Sequence, residues 1–391
     1  MGTMNPPEGR WAWPAALGMV ILGAGLFSGW PLPQRIGLAL LGLLAACLVA
    51  TQASAWALSA TCTITQRAVT AGESLTVRFA VRNRAPWPVI WTMLRPEGIA
   101  AQPAETRLVA MPPWGHRHID VSLPCQYRGC WPAGGWQLHT GDPFGFFARS
   151  RSGRPEEMVL VYPRPLPLPD LVLPTPSGRG ANPRGRSGAQ PSAMVREVRP
   201  YQPGDVLSRV HWLSTARRGT LMVREPEGEP AAETWLVLDL DSGAHGEDDG
   251  EETVELVIAA AAHLLERQER AGIPTGLLLA GPNTLIPPSR RRGHIQALRE
   301  PLALATPIAG DVIRGMDRLP GSARWGALIV ITPWADARWS ARLAAMARAG
   351  GAVVCILVQT PESDDGESLD AQAMALDSAG VRVYRYRGWA P

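Results

Sequence analysis

The segment Trp235-Leu-Val-Leu-Asp-Leu-Asp-Ser-Gly243 decides the fold of the C-terminal part of the chain. It is a short continuous apolar run that ends in aspartates, as expected for a strand that is buried on both faces of a parallel sheet. An amphipathic helix is predicted over Thr253–Arg270. Further strands are predicted at Thr275–Ala280, Ala327–Ile331, Ala352–Val358 and Val381–Tyr386, and further helices at Ile295–Leu304, Arg338–Ala349 and Leu369–Ala379. This alternation predicts an α/β domain over residues 231–391 with a mostly parallel sheet.

The region before this domain has a different period. Leu75, Val77 and Phe79 alternate with polar or small residues, which is typical of a strand with one buried face. Short strands of this kind continue to about residue 165, so we predict an all-β sandwich over residues 61–165. Residues 166–230 are rich in proline, glycine and arginine and are predicted to form a linker.

The N-terminus carries two long runs without an ionisable residue. They are Trp11–Gln34 and Ile36–Gln66, separated by Arg35. Each run is long enough to cross a ~30 Å hydrocarbon layer. Trp13 and Trp30 lie near the ends of the first run, and Trp56 lies towards the end of the second. We therefore predict a transmembrane helical hairpin over residues 1–60. The alternatives are a buried helical pair in a soluble domain and a signal peptide.

The arginines near the two runs predict the orientation. Arg10, Arg67 and Arg78 flank the hairpin, whereas its turn carries only Arg35. The positive-inside rule then places both flanks in the cytoplasm. We expect the protein in the cytoplasmic (inner) membrane with the bulk of the chain in the cytoplasm.

Composition excludes several classes of protein. The chain has 391 residues, 46% of them hydrophobic and 19% charged, so a globally disordered chain is excluded. Its net charge of +3 does not predict nucleic-acid binding. All 38 basic residues are arginine, so the lysine of a phosphate-binding P-loop is absent from the sequence. Five cysteines do not build a disulfide framework and favour a reducing compartment.

Several short motifs resemble those of a bacterial family, domain of unknown function 58. The motifs are Tyr127-Arg-Gly129, Gly141-Asp-Pro-Phe-Gly145, Val161-Tyr-Pro163 and a block from Tyr201-Gln-Pro-Gly-Asp205 to Val223-Arg-Glu225. The signature residues are Tyr127, Arg128, Gly129, Asp142, Pro143, Gly145, Tyr162, Pro163, Gly204, Asp205, Trp212, Ala216, Arg217 and Arg224. His211 departs from the family, which usually has an acidic or amide residue before the tryptophan. We also expect Trp212 and Arg217 to help join the two domains, since a tryptophan in a polar connector usually packs against something.

The resemblance implies a multidomain architecture. A membrane anchor and a β-sandwich would precede a von Willebrand factor type A-like domain with a Rossmann-like α/β fold. Members are often paired with MoxR-type AAA+ ATPases, so the resemblance implies such an ATPase as the protein partner. This partnership comes from the family and not from any residue of the sequence.

The resemblance also implies where a metal would bind. Type A domains hold Mg²⁺ on an Asp-x-Ser-x-Ser loop together with a threonine and an aspartate from two other loops. Here Asp239 matches the first position, but Asp241 and Gly243 replace the two serines. The threonine loop lacks its usual aspartate unless Asp336 supplies it. The candidate Mg²⁺ ligands are Asp239, Asp241, Ser242 and Thr332. The alternative is a vestigial loop whose acids only cap the next helix.

A cluster of acidic residues is the candidate surface for a partner. It comprises Glu247, Asp248, Asp249, Glu251 and Glu252. Such a cluster repels phosphates and attracts cations or basic protein surfaces. Because no catalytic set is evident, we expect a non-enzymatic, membrane-anchored adaptor that mediates protein–protein interaction. The alternative is a divalent-metal-dependent, phosphoesterase-like enzyme that uses Asp239 and Asp241.

Overall fold

The computed structural model describes most of the chain. The described residues are 11–99, 104–154, 157–168, 171–173, 195–202, 210–226, 233–245, 250–310, 312–319, 327–333, 337–348, 351–360 and 366–388. The chain divides into two compact units, an N-terminal unit of residues 1–163 and a C-terminal unit of residues 164–391. The domain boundaries inferred above stay a prediction.

Two apolar helices open the N-terminal unit. Helix α1 (Ala12–Ser28) ends at Gly29, whose φ of 71° is left-handed, and α2 (Pro31–Ala57) starts directly at a proline. The helices approach closely at Gly37, where a Cβ atom would lie 2.7 Å from the backbone nitrogen of Leu22. Within the described residues, α2 is the one helix long and apolar enough to cross a membrane, and α1 is apolar but shorter. The helical N-terminus is confirmed, with one candidate span, and the two-pass anchor stays a prediction.

A strand-rich region (residues 58–163) follows α2. Its strands are β1 (Leu58–Ile64), β2 (Ala68–Thr70), β3 (Ser74–Asn83), β4 (Val89–Pro96), β5 (Arg107–Met111), β6 (His116–Pro124), β7 (Gly129–Ala133), β8 (Trp136–Gly141), β9 (Ala148–Gly153) and β10 (Glu157–Tyr162). They form sheets of order β1-β3-β6, β2-β10-β7 and β5-β4-β8-β9. The predicted alternation is confirmed in β3, where Leu75, Val77 and Phe79 are fully buried in the common core.

The C-terminal unit is built on a mixed sheet of order β15-β14-β13-β16-β17-β18. Its strands are β13 (Thr234–Asp239), β14 (Thr275–Ala280), β15 (Thr284–Ile286), β16 (Ala327–Thr332), β17 (Ala352–Gln359) and β18 (Arg382–Arg387). All neighbours are parallel except β15, which runs antiparallel to β14. The helices of this unit are α3 (Trp212–Arg218), α4 (Gly250–Arg270), α5 (His294–Leu304), α6 (Val312–Asp317), α7 (Ala337–Arg348) and α8 (Gly366–Ser378). A separate antiparallel pair joins β11 (Val195–Pro200) and β12 (Met222–Pro226).

Both faces of the sheet are buried, as its continuous apolar strands predict. Leu236 and Leu238 pack in one core with α4, whereas Trp235 and Val237 pack in a second core with Leu343 of α7. Part of the predicted linker belongs to the first core, because three leucines after the N-terminal unit are buried there: Leu166, Leu168 and Leu171. The backbone N–H of Leu166 donates to the carbonyl of Ala259 at 3.0 Å. These described residues are therefore packed on α4, although their proline-rich composition predicted a linker.

Candidate functional site

The carboxyl ends of β13 and β16 bring two predicted site residues together. Thr332 Oγ1 donates to Asp239 Oδ2 at 2.8 Å, and both residues are fully buried. The second carboxylate oxygen, Asp239 Oδ1, accepts the backbone N–H of Asp241 at 3.1 Å. Parallel neighbours end at the same edge of the sheet, which is why residues so distant in sequence meet here.

Asp241 holds a loop in place through its carboxylate. Its Oδ1 accepts the backbone N–H of Gly243 and that of Gly310, each at 3.2 Å. Next to it, the N–H of Ile308 donates to the carbonyl of Leu240 at 3.0 Å. The loop before α6 is therefore held against the end of β13 by both backbone and carboxylate.

Two glycines make this close approach sterically feasible. Gly281 has a φ of 108°, and a Cβ there would lie 2.6 Å from the carbonyl oxygen of Leu240. A Cβ at Gly310 would lie 2.9 Å from the Cα of Gly281. Any side chain at either position would push the loop away from Asp241, since real Cβ contacts are longer than this.

His245 is a buried residue of the site that sequence reasoning missed. Its Nε2 donates to the backbone carbonyl of Asp239 at 3.0 Å, and its Nδ1 lies 2.8 Å from Thr253 Oγ1. Burial lowers the pKa of His245, although the carbonyl of Asp239 and the charge of Asp241 act in the opposite direction. The sequence feature that could have pointed to His245 is its position on the loop directly after Asp239 and Asp241.

A second negative charge is unfavourable in the protein interior next to Asp239. Cys355 lies on β17, next to β16, and is fully buried. Burial, and after it the negative charge of Asp239, raise the pKa of the Cys355 thiol to about 12. We call Asp239, Asp241, His245, Gly310 and Thr332 the sheet rim.

The sheet rim does not assemble a metal cage from the described residues. No group of three or more His, Cys, Asp or Glu side chains is placed there, or elsewhere in the described part of the chain, to hold a metal ion. Both oxygens of Asp239 already accept hydrogen bonds from the protein, and Ser242 lies exposed on the loop surface. Asp336 lies outside the described residues. Of the four candidate ligands, the structure therefore brings Asp239 and Thr332 together, and it engages the carboxylates of Asp239 and Asp241 in hydrogen bonds within the protein.

The acidic cluster is described only in part. Glu247, Asp248 and Asp249 lie outside the described residues. Glu251 and Glu252 are exposed in the first turn of α4, where negative charge stabilises the helix dipole. Their carboxylates are accessible to a partner.

The first group of signature residues shapes turns in the strand-rich region. Asp142 is buried, and its carboxylate accepts the backbone N–H groups of Phe144 and Phe147 at 2.8 and 2.5 Å. Gly145 has a φ of 75°, which completes the turn around Pro143. Other members lie at strand ends: Tyr127 is exposed, Arg128 precedes β7, Gly129 has a φ of 133°, and Tyr162 and Pro163 close β10. Burial lowers the pKa of Arg128 to about 10.

The second group of signature residues lies around α3, and the domain-joining role of Trp212 and Arg217 stays a prediction. His211 caps α3 by accepting the N–H of Ser214 at its Nδ1, 3.1 Å away. Trp212 is 68% exposed, because this helix of seven residues buries none of its side chains. Ala216 and Arg217 are also exposed, and the backbone of Arg224 pairs with Val198. Gly204 and Asp205 lie outside the described residues.

Comparison with protein families decides the relationship. Residues 197–366 match the family described as protein of unknown function DUF58. This stretch of the chain is similar to the DUF58 family. This confirms the resemblance inferred from the sequence motifs, over the second motif block and most of the mixed sheet.

DUF58-type relatives come from several bacteria. The chain is 27% identical over 258 residues to the uncharacterized protein YeaD of Bacillus subtilis, covering 62% of this chain and 61% of the relative. It is 30% identical over 203 residues to the uncharacterized protein Rv1480 of Mycobacterium tuberculosis, covering 50% of this chain and 63% of the relative. The matched parts thus span somewhat less than two thirds of these relatives. Among solved structures, the CARDB domain of the PF1109 protein from Pyrococcus furiosus is 12% identical, with a TM-score of 0.21, covering 27% of this chain and 91% of that domain.

Proposed function

We propose that this protein is a membrane-anchored adaptor without enzymatic activity. Its C-terminal unit would be a von Willebrand factor type A-like domain that binds a partner protein, and a MoxR-type AAA+ ATPase is the proposed partner. The anchor would be the α1–α2 hairpin, with the bulk of the chain in the cytoplasm. The apolar length of α2 supports the anchor, and the DUF58 relationship supports the choice of partner.

The single observation that carries this proposal is the engagement of the rim carboxylates. Asp239 accepts hydrogen bonds from Thr332 and from the backbone of Asp241, and Asp241 accepts two more from Gly243 and Gly310. Groups that hold loops in place in this way stabilise a surface rather than activate a water molecule or a phosphate. A fixed, loop-built edge is a favourable geometry for recognising another protein.

The charge of the loop after β13 supports a basic partner surface. Glu251 and Glu252 are exposed at the start of α4, and Gly250 separates them from three further acids in the sequence, Glu247, Asp248 and Asp249. Negative potential of this density accelerates encounter with a positively charged surface and weakens as salt rises.

Co-purification tests the adaptor. The full chain, extracted in mild detergent, is mixed with the MoxR-type ATPase of the same cell, and recovery of the complex is measured. The test variant neutralises Glu247, Asp248, Asp249, Glu251 and Glu252 to amides, and the matched control carries Glu300→Gln and Asp377→Asn, both exposed elsewhere on this unit. We expect recovery to fall at least tenfold for the test variant alone. Equal recovery of both variants would contradict docking through the acidic cluster.

The alternative is a divalent-metal-dependent, phosphoesterase-like enzyme. The convergence of Asp239 and Thr332 at the end of the sheet is the observation that favours it. It predicts heat of Mg²⁺ or Mn²⁺ binding in calorimetry at millimolar metal, together with phosphoesterase turnover that Asp239→Ala abolishes. Absence of both signals removes this alternative.

A further inference from the structure

A groove lies where α2 meets the strand-rich region. Its volume is about 580 Å³, and it is lined by Gln52, Ala55, Trp56, Arg149, Ser150 and Arg151. The first three residues belong to the last two turns of α2, and the other three belong to β9, which is the edge strand of its sheet. A groove of this size can hold a small ligand or a phospholipid headgroup. We call it the juxtamembrane groove.

The juxtamembrane groove is positively charged. Among the residues that the structure describes, its lining holds two arginines and no acidic residue. Arg149 is exposed and makes no ion pair with any carboxylate in the described part of the chain. The buried Asp142 turns its carboxylate to the backbone of Phe144 and Phe147 instead. The groove therefore has a net positive potential that a phosphate can complement.

Arg151 is held in the groove by the end of the helix. Its Nη1 donates to the carbonyl oxygens of Trp56 and Leu58, at 3.2 and 2.9 Å. The Trp56 carbonyl lies at the negative end of the helix dipole, which would otherwise repel an anion, and the Leu58 carbonyl belongs to the first residue of β1. Arg151 thus offsets this charge, while Arg149, two residues away on the same face of β9, stays available to a ligand.

The groove lies at the level of lipid headgroups when α2 spans a membrane. A helix of 27 residues is about 40 Å long, whereas the hydrocarbon layer is ~30 Å thick. Thr51, Gln52 and Ser54 are the first polar side chains after a long apolar stretch, so the last turns of α2 match the polar boundary.

Two exposed tryptophans lie near the C-terminal end of α2, where the groove lies. Trp56 lines the groove and is 76% exposed, and Trp87 is 41% exposed while its Nε1 donates to Ser54 Oγ at 3.1 Å. Tryptophan prefers the membrane–water boundary because its ring is apolar and its N–H is polar. Charge on an edge strand also discourages strand pairing, but this role explains neither the groove nor the tryptophan within it.

We propose that the juxtamembrane groove binds the phosphate of an anionic glycerophospholipid from the surrounding leaflet. Arg149 would contact the phosphate, and Trp56 would lie against the glycerol and upper acyl region. This inference rests on the membrane anchoring proposed above. Anionic lipid on the cytoplasmic leaflet would then fix how the strand-rich region meets the membrane surface.

Native mass spectrometry of the full chain in non-ionic detergent tests the groove. Phosphatidylglycerol and phosphatidylcholine with identical acyl chains are added in turn, and the apparent affinity of the first bound lipid is measured. The test variant is Arg149→Gln, which leaves the Arg151 cap intact. The matched control is Arg95→Gln, an exposed arginine on β4 of the same sheet, which the strand alternation places on the opposite face.

We expect the wild-type chain and the control to prefer phosphatidylglycerol, and Arg149→Gln to weaken its binding about fivefold while Arg149→Lys recovers most of it. Equal affinity of the two glutamine variants would overturn the proposal. So would displacement of the lipid by millimolar inorganic phosphate, which would assign the groove to the free ion.

Anchoring is measured separately by alkaline extraction of membranes. Because the mass-spectrometric measurement uses detergent-solubilised chain, lipid selectivity is scored independently of bilayer insertion. Extraction of the chain into the soluble fraction would contradict the anchor. Retention in the membrane together with arginine-independent lipid binding would contradict only the groove.

Discussion

The strands β3 and β13 bury their side chains in opposite ways. In β3, buried and exposed residues alternate along ten residues, whereas all six residues of β13 are buried. The strand-rich region therefore leaves one face of β3 free to meet its surroundings. The mixed sheet is covered on both faces, so it can present chemistry only where its strands end, at the sheet rim. Burial thus decides where each unit can interact with other molecules.

The largest expected effect concerns two cysteines, one in each unit. Cys130 is exposed on β7, whereas Cys355 is buried on β17 with its pKa raised to about 12. Because the ordinary thiol pKa is near 8.5, we expect alkylation of native Cys355 at pH 8 to be at least about a thousandfold slower than that of Cys130. Mass spectrometry after iodoacetamide treatment measures both rates. Comparable labelling of the two native thiols would contradict the closed sheet, and denaturation in urea should equalise them.

The second prediction scans neighbouring residues in the two strands. Val237→Ala and Leu238→Ala should each lower the free energy of unfolding by about 2–4 kcal/mol, because both residues lie in filled cores. In β3, Val77→Ala should be similarly costly, but Thr76→Ala should change stability by less than about 0.5 kcal/mol. Urea unfolding of the full chain in detergent, followed by proteolysis of each unit, gives these values. If Val237→Ala or Leu238→Ala left the free energy of unfolding unchanged, the burial of both faces of β13 would be contradicted.

The third prediction addresses the sheet rim. Thr332→Val keeps the shape of the side chain but removes the donor to Asp239 Oδ2, so it should cost about 1–3 kcal/mol. Thr332→Ser retains the hydroxyl and should cost clearly less. The same urea titration measures both. Equal stability of the two variants would show that the hydroxyl contributes nothing to holding Asp239.

The comparison of β3 with β13 also shows which features of the fold could be predicted from the sequence. Alternation in Leu75–Val81 and the continuous run in Trp235–Leu238 each predicted the burial that the structure has, since periodicity reports the number of buried faces directly. The convergence of Asp239 and Thr332 followed from strand direction and strand ends. In contrast, the contact of Asp241 with Gly310 depends on a loop conformation, and no local pattern encodes it.

Other features escaped the sequence because burial depends on distant partners. Leu166 lies among prolines, and its burial requires α4, which comes almost ninety residues later. His245 looked like one more loop residue, and only the fold places it against Asp239 and Thr253.

The smallest expected effect is a pH dependence of the C-terminal unit. Burial lowers the pKa of His245 below its unfolded value, so the unfolded chain binds the proton more readily. Stability from this residue is present above the unfolded pKa of about 6.5 and is lost as the pH falls below it. His245→Gln should flatten the dependence between pH 7.5 and 5.5, measured by urea unfolding of this unit.

The control for this measurement is His263→Gln, because His263 is a second histidine whose pKa is lowered. Burial and the charge of Arg267 also lower its pKa, so His263→Gln should remove only a separate part of the slope. An unchanged slope in His245→Gln would mean that its contacts with Asp239 and Thr253 do not depend on its protonation.

The passage from Ala57 to Leu58 has a mechanical consequence. Helix α2 ends at the first residue and strand β1 begins at the second, without a hinge residue between them. The backbone N–H of Arg84 donates to Ala57, and Arg151 bonds the carbonyls on either side of the junction, so the two elements turn together. If α2 spans a bilayer as proposed, any tilt that it adopts when the bilayer changes thickness would be transmitted as a rotation of the sheet β1-β3-β6.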